Sequence, residues 1–286
     1  MSTTPERLGA PCVPIANVRP DALLAAKRYL RRAQERTKQA VGKALANAFT
    51  GRLIARLYRD RIPAGDLLMD TSSPLILPEV KALLALGMYE SAERRLVTTH
   101  LRCDLPVVEL GASIGYVTGH ISRRVPPRHV AVEANALLFP LIERLLQLNG
   151  LPMVQLIHGA IDYSGQSTVR FCVHSFNTGS TVVDGERESH DASEVEVPSF
   201  TLRDIVVREA LEEFAMVCDI EGAERALIME EDLHVIQRCQ QMVIELHSGI
   251  YKHQHMSSDS LARAVKERWE MQPVLRDGNN WLFGRS

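Results

Sequence analysis

The segment from Val107 to Tyr116 limits the fold of this chain more than any other stretch. It contains a short apolar run, an acid at Glu109, and a loop between Gly111 and Gly115 that leads into residues able to begin a helix. Glycines after a strand let the backbone approach a ligand closely, and the first N–H groups of a helix are free to bind it. The segment therefore predicts a strand, a ligand-contacting loop and a helix.

Strand and helix patterns alternate along the chain from this segment onward. Predicted strands span residues 106–110, 129–133, 154–158, 168–173, 214–219 and 241–246, with predicted helices at 116–124 and 137–149. Such alternation is typical of an α/β fold with a doubly wound, mostly parallel sheet that has helices on both faces. The turn sequence at 277–279 predicts a closing antiparallel hairpin over residues 271–284. The polar stretch at 174–194 predicts a long surface loop near the ligand site.

The first 61 residues are strongly basic, with thirteen Lys and Arg against four acids, although the whole chain has a net charge of −2. A helical pattern begins at Asp21, and apolar residues recur at every fourth position from Val41 to Leu57. We divide the chain into a basic helical extension with a linker, residues 1–78, and a main domain, residues 79–286. Residues 21–61 either pack on that domain with a solvated basic face or dock onto an anionic membrane surface or a phosphate-bearing substrate. Nucleic acid is disfavoured because no aromatic residues accompany the charge.

The cysteines and the apolar runs point to a reducing compartment. The five cysteines are scattered and never have CxxC spacing, which argues against a disulfide framework and against a zinc site. No apolar run reaches the roughly 18 residues that a membrane-spanning helix needs, and the chain does not begin with a secretory signal pattern. We expect a cytoplasmic protein, either free or peripheral to the membrane.

A second acid limits which cofactor the loop can bind. Glu133 ends the predicted strand 129–133, twenty-four residues after Glu109, where a carboxylate can accept hydrogen bonds from a ribose diol. The loop lacks the GxGxxG spacing that a dinucleotide pyrophosphate requires. S-adenosylmethionine (SAM) has no phosphate and has a positive sulfonium, which Glu109 suits electrostatically. The sequence therefore favours SAM over NAD.

Several motifs together resemble the FkbM family of SAM-dependent methyltransferases, over roughly residues 85–250. The most specific is Asp219-Ile220-Glu221-Gly222-Ala223-Glu224, which matches the family's Asp-x-Glu-Gly-x-Glu. The other matching segments are Tyr89-Glu90 with Glu93, the loop Gly111–Tyr116, Glu133-Ala134-Asn135, Gly159-Ala160 with Asp162, and Glu245-Leu246-His247. The chain departs from the family pattern at Arg203, where the family has an acid.

The resemblance implies a fold, a cofactor and a reaction. The fold is the class I SAM-methyltransferase (Rossmann-like) sheet with its final strand antiparallel, preceded here by the helical extension. The reaction is methyl transfer from SAM to a hydroxyl of a sugar, glycolipid or secondary metabolite, so the partner is a small-molecule, glycan or glycolipid acceptor. The predicted cofactor-binding residues are Glu109, Gly111, Ala112, Ser113, Gly115, Tyr116, Glu133, Ala134, Asn135, Ala160, Asp162 and Asp219.

The catalytic candidates are Asp219, Glu221 and His247. O-methylation needs the acceptor hydroxyl to be oriented and its proton removed, and each of the three side chains is a candidate base. Paired acids are also able to hold a divalent cation that orients the acceptor, although no metal site is predicted. Two alternative functions stay open at this point: a SAM-binding scaffold without catalysis, and an NAD-dependent oxidoreductase.

Overall fold

The computed structural model describes residues 44–125, 128–174, 181–182 and 192–285. The predicted helical pattern of residues 21–43 and most of the predicted loop at 174–194 lie outside these ranges. Residues Leu45–Ser286 form one compact unit. This unit begins before the predicted boundary at residue 78, because a hairpin within residues 61–70 packs into the same core as the rest of the domain.

The helices and strands follow the predicted alternation closely. The helices are α1 (Ala48–Tyr58), α2 (Pro78–Ala85), α3 (Ser91–His100), α4 (Tyr116–Arg124), α5 (Phe139–Leu148, after a 3-10 turn at Ala136–Leu138), α6 (Leu202–Arg208), α7 (Glu224–Glu230), α8 (Leu233–Ile236) and α9 (Ser258–Trp269). The strands are β1 (Arg61–Ala64), β2 (Leu67–Asp70), β3 (Val107–Leu110), β4 (His129–Glu133), β5 (Gln155–His158), β6 (Ala160–Ile161), β7 (Thr168–His174), β8 (Thr181–Val182), β9 (Ala192–Phe200), β10 (Phe214–Cys218), β11 (Cys239–Glu245), β12 (Gly249–Tyr251), β13 (Gln254–Met256), β14 (Gln272–Asp277) and β15 (Asn280–Gly284).

Seven strands form the main sheet, in the order β14-β15-β11-β10-β3-β4-β5. The pairs between β11, β10, β3, β4 and β5 are parallel, and β15 is antiparallel to both of its neighbours. This is a Rossmann-like, doubly wound and mostly parallel sheet, which confirms the predicted fold and its antiparallel final strand. The strand order reverses at β3, and ligands of open α/β sheets bind at such a reversal.

Both faces of the main sheet are buried, as a doubly wound sheet requires. Along β10, Phe214, Met216 and Cys218 pack into one apolar cluster, whereas Ala215 and Val217 pack into the cluster on the opposite face. The alternation follows from the two-residue period of a strand. It leaves the carboxyl ends of the central strands as the place where polar side chains can gather.

A smaller sheet lies beside the main one, in the order β6-β9-β7-β8. β7 was predicted at 168–173, but it pairs with β9 and does not belong to the parallel sheet. β9 begins at Ala192, within the stretch predicted as a loop. The alternating residues Val195 and Val197 are a strand signal that the polar composition of the stretch obscured.

Helix α1, which belongs to the predicted extension, packs on the domain through the side opposite to its apolar stripe. In α1, Gly51 and Ala55 are buried, whereas Phe49, Leu53 and Leu57 of the predicted apolar stripe are exposed. Among the described residues, no helix is long and apolar enough to cross a membrane.

Candidate active site

A cavity of about 410 Å³ opens at the carboxyl ends of β3, β4 and β10. Its volume is within the range of small-molecule sites. The described residues that line it are Tyr89, Glu90, Glu93, Gly111, Ala112, Ser113, Val117, Val132, Glu133, Ala134, Leu138, Gly159, Ala160, Ile161, Phe171, Asp219, Ile220, Glu221 and Ala223. The predicted loop, the predicted ribose acid and the predicted catalytic acids therefore meet in one place.

The glycine loop is fixed by close backbone contacts. Gly111 has φ +88°, and a Cβ there would lie 1.9 Å from the carbonyl oxygen of Asp219. Its N–H donates to Val132 O at 2.9 Å, and the N–H of Asp219 donates to Leu110 O at 2.9 Å. Only glycine fits at this position, because any side chain would push the ends of β3 and β10 apart.

Three of the nine described non-glycine residues with positive φ line the cavity. Glu90, Ser113 and Glu221 have left-handed backbones, with φ of 41°, 49° and 51° respectively, and all three line the cavity. Such conformations are unfavourable for residues other than glycine, and they occur most often at ligand-binding and catalytic sites. The strain supports a functional role for this part of the molecule.

Glu133 is held in place by the backbone on both sides of it. Its Oε2 accepts from Ser113 N and its Oε1 accepts from Asn135 N, each at 2.8 Å. Burial raises the pKa of Glu133, and the two backbone N–H donors oppose that shift. A carboxylate oxygen can accept more than one hydrogen bond, and Glu133 lines the cavity, so it is able to accept a diol while its geometry stays fixed.

Carboxylates dominate the polar lining. Five of the described lining residues are acids (Glu90, Glu93, Glu133, Asp219 and Glu221), and none of the described lining residues is Lys, Arg or His. Burial and the neighbouring carboxylate of Asp219 raise the pKa of Glu90 to about 8. Burial, together with Glu245 and Glu221, likewise raises the pKa of Asp219 to about 8. A positively charged ligand in this cavity would favour the ionised forms of these acids and would be attracted by them.

His247 lies beside these acids but does not line the cavity. Its Nδ1 is 3.3 Å from Oε1 of the fully buried Glu224, and its Nε2 is 3.6 Å from Glu221 Oε2. Burial lowers the pKa of His247, but the hydrogen bond to Glu224 and the charges of Asp219 and Glu221 outweigh burial and raise it to about 9. The imidazole is therefore charged near neutral pH, which makes it a counter-ion for the acids and a poor base.

Three side chains lie close enough together to be considered as ligands of a metal ion. Ligand atoms of Asp219, Glu245 and His247 lie within 4.8 Å of one another. A histidine binds a metal through a neutral nitrogen, whereas this imidazole already meets carboxylates at both nitrogens and is protonated. The trio therefore fits a proton better than a divalent cation.

Six predicted site residues do not line the cavity, namely Glu109, Gly115, Tyr116, Asn135, Asp162 and His247. Glu109, which was predicted to contact the cofactor, does not face the cavity. Its side chain is buried on the α4 side of the sheet, where it accepts from Thr118 Oγ1 at 3.0 Å and meets His129 Nε2 at 2.9 Å.

The other residues of this group support the site or the fold. Tyr116 is fully buried against the rings of Tyr89 and His120, and Gly115 is the left-handed N-cap of α4. Asn135 caps the 3-10 turn through its side chain. The Asp162 carboxylate accepts from Ser164 N and so stabilises a turn.

Several lining residues were not assigned a role from the sequence. Tyr89, Glu90 and Glu93 reach the cavity from the start of α3, and the Tyr89 hydroxyl is 3.3 Å from Ser113 Oγ. Their signal was the Tyr-Glu-x-x-Glu motif, which was matched to the family pattern without a function. Phe171 comes from β7 of the small sheet, and no sequence signal marks it.

Comparison with known proteins gives weak similarities. No family model matches the sequence, and no curated protein matches it. Among solved structures, an uncharacterized protein from Listeria monocytogenes serotype 4b is 11% identical over 68% of this chain and 66% of its own, just under two thirds, with a TM-score of 0.39. A ribosomal protein L11 methylase from Lactobacillus delbrueckii subsp. bulgaricus is 13% identical, over 68% of this chain and 77% of its own, with a TM-score of 0.37.

A third structure, precorrin-6y C5,15-methyltransferase from Geobacter metallireducens GS-15, is 14% identical over 68% of this chain and 87% of its own, with a TM-score of 0.36. Similarities of this size carry no conclusion about activity. The FkbM resemblance therefore stays a prediction, and the function has to be argued from the cavity itself.

Proposed function

We propose that this protein is a SAM-dependent methyltransferase that methylates a hydroxyl oxygen. One observation carries the proposal: the cavity at the strand-order reversal presents five carboxylates and, among the described residues, no basic side chain. SAM carries a sulfonium and an ammonium group, which such a lining attracts. A dinucleotide carries a pyrophosphate, which the same lining repels, so an NAD-dependent oxidoreductase is disfavoured.

The lining divides into parts that suit the parts of SAM. Glu133 would accept the ribose hydroxyls, and the loop around Ala112 and Ser113 would approach the cofactor through its backbone. Glu90, Glu93 and Asp219 would face the positive groups. Apolar side chains such as Phe171 and Ile161 offer contacts for a flat base. When bound, SAM supplies an electrophilic methyl group.

Asp219 is the base that we propose for the acceptor. It lines the cavity, its Oδ1 is buried, and among the described residues that atom has no hydrogen-bond partner. A pKa near 8 suits proton transfer at neutral pH. The positive charge of His247 would hold the carboxylates of Glu221 and Asp219 in place. Glu224 would fix the orientation of the imidazole ring.

The acceptor class follows from the FkbM resemblance. We propose a hydroxyl on a sugar, glycolipid or secondary metabolite, since a carboxylate base is suited to a hydroxyl that needs its proton removed. The main alternative is a SAM-binding scaffold that does not catalyse transfer.

Calorimetry with SAM, S-adenosylhomocysteine and NAD separates these functions. We expect SAM and S-adenosylhomocysteine to bind and NAD not to bind. NAD binding without SAM binding would overturn the proposal. SAM binding without release of S-adenosylhomocysteine on any hydroxylated acceptor would favour the scaffold. Because the trio around His247 fits a proton better than a metal, turnover should survive treatment with EDTA.

Replacing Glu133 with alanine is expected to weaken SAM binding by about 1–3 kcal/mol, because a charged hydrogen-bond partner is lost. Calorimetry at fixed pH measures the change. Asp162→Ala is the matched control, since Asp162 is an acid on the same predicted list that lies outside the cavity. If Glu133→Ala binds SAM as tightly as the unmodified protein, Glu133 does not belong to the site.

SAM binding is expected to release protons and to tighten as pH rises. In the empty protein Glu90 and Asp219 have pKa values raised to about 8, and a bound cation favours their ionised forms and so lowers those values. Affinity should therefore rise between pH 6.5 and about 8 and level off above. Calorimetry in buffers of different ionisation enthalpy counts the protons. Glu90→Gln should reduce the number released, and an unchanged number in that variant would contradict the assignment.

A further inference from the structure

The exposed face of α1 is an apolar stripe. Phe49, Leu53 and Leu57 are 72%, 58% and 74% exposed, and they recur at helical spacing along one side. Leu45, which is 44% exposed, precedes the N-cap Asn47 of the helix. Tyr58 adds a fifth exposed apolar residue to the same stretch. The other large exposed apolar residues in the described ranges are spread over the rest of the chain. Contiguous apolar surface of this kind marks an interaction site.

The helix cannot turn to bury this stripe against its own domain. Gly51 is on the opposite side, and a Cβ at Gly51 would lie 1.6 Å from the carbonyl oxygen of Pro78, at the start of α2. Ala55 is buried on the same side as Gly51. The contact therefore fixes α1 with the apolar stripe facing outward.

Positive charge accompanies the stripe. Arg52, Arg56 and Arg59 are exposed along its edge, and no acidic residue occurs between positions 44 and 59. Long arginine side chains can lie along apolar surface while their charged ends reach polar groups. An apolar face edged by arginines is the pattern of helices that lie in a membrane interface.

We propose that α1 docks onto an anionic lipid surface, with the stripe of Phe49, Leu53 and Leu57 inserted at the headgroup boundary and the arginines on lipid phosphates. Charge favours a lipid surface over the two other possible partners of this face, which are a second copy of the chain and the chain's own residues 1–43. A second copy would bring its own arginines to the same face and would be repelled. Residues 1–43 carry nine Lys and Arg against three acids, so they do not complement the arginines either.

Flotation of the full chain with lipid vesicles tests the proposal. We expect binding to mixed phosphatidylcholine and phosphatidylglycerol vesicles and little binding to phosphatidylcholine alone, with weaker binding as salt rises. The double variant Phe49→Glu, Leu53→Glu should lose at least about tenfold in affinity, because two inserted apolar side chains are replaced by charges that anionic lipid repels. Arg52→Glu, Arg56→Glu should lose the preference for the anionic lipid.

Val207→Glu is the matched control. Val207 is 62% exposed on α6. The variant therefore places a glutamate at an exposed apolar position outside the stripe, and vesicle binding should be unchanged. Circular dichroism melting verifies that each variant folds. Three results would overturn the proposal: no binding to the anionic vesicles, binding that the stripe variant leaves intact, or a dimer by light scattering that the stripe variant dissociates. These measurements do not depend on SAM binding, so they stand or fall separately from the proposed function.

Discussion

Replacing Gly111 with alanine is expected to abolish SAM binding and to destabilise the fold by about 3–5 kcal/mol. The new Cβ would lie 1.9 Å from the carbonyl oxygen of Asp219, and the backbone φ of +88° is unfavourable for any side chain. Relief requires the loop to move away from the end of β10, which displaces Ser113 and Asp219 together. Thermal melting measures the stability, and calorimetry should show SAM affinity lowered by more than about a hundredfold.

The variant Gly150→Ala distinguishes the effect of an unfavourable backbone conformation from the effect of a collision with a neighbouring strand. Gly150 has φ +59° but no atom within 4 Å of its added Cβ, so alanine there introduces the unfavourable backbone without a collision. We expect a loss of about 1 kcal/mol and unchanged SAM affinity. If Gly111→Ala behaves in the same way as Gly150→Ala, the contact between the loop and β10 is not what shapes the cavity.

The main sheet was predictable because its strands carry the signal in their own residues. The strand at His129–Glu133 matches its predicted bounds, and Asn280–Gly284 is the second strand of the hairpin predicted over residues 271–284. The β1–β2 hairpin was not predicted, because Pro63 and Gly65 are typical of a linker. In the structure Pro63 pairs with Leu68 in a two-stranded hairpin, where a proline is tolerated because every strand is an edge strand.

The site was predictable where it follows from the ends of strands. Glu133 and Asp219 sit at the carboxyl ends of β4 and β10, and parallel strands bring such ends together. Glu109 lies one residue before its strand ends, where the face of the sheet decides which residues a side chain contacts. Glu109 is on the same face as Val107, toward α4, and so reaches Thr118.

Other parts of the site depend on packing that no local pattern contains. Glu90 and Glu93 enter the cavity because α3 packs beside the sheet, and Glu90 adopts a left-handed backbone to do so. The outward direction of the α1 stripe depends on Gly51 meeting Pro78, a contact twenty-seven residues apart in sequence. The periodicity of the stripe predicted the helix but not which side would be buried.

Replacing Asp219 with asparagine is expected to lower turnover by about 10²- to 10⁴-fold, the range for loss of a positioned general base. Asparagine keeps the size of the side chain and cannot accept the hydroxyl proton. SAM affinity should fall as well, because Asp219 faces the positive groups of SAM and its ionised form is favoured in the complex, so turnover is compared at saturating SAM. Turnover is measured as release of S-adenosylhomocysteine. The acceptor is the hydroxylated sugar or glycolipid that the unmodified protein methylates fastest.

Glu245→Gln distinguishes a base from a general effect of charge. Glu245 belongs to the same acidic group and raises the pKa of Asp219, but it does not line the cavity, and its Oε2 accepts from Asn280 Nδ2 at 3.1 Å. Removing its charge should lower the pKa of Asp219, so the acidic limb of the pH–rate profile should move to lower pH while the maximum rate changes little. An equal loss of turnover in both variants would mean that the charge of the cluster matters and that Asp219 is not the base. Loss in Asp219→Asn alone, with the shifted profile in Glu245→Gln, assigns proton removal to Asp219.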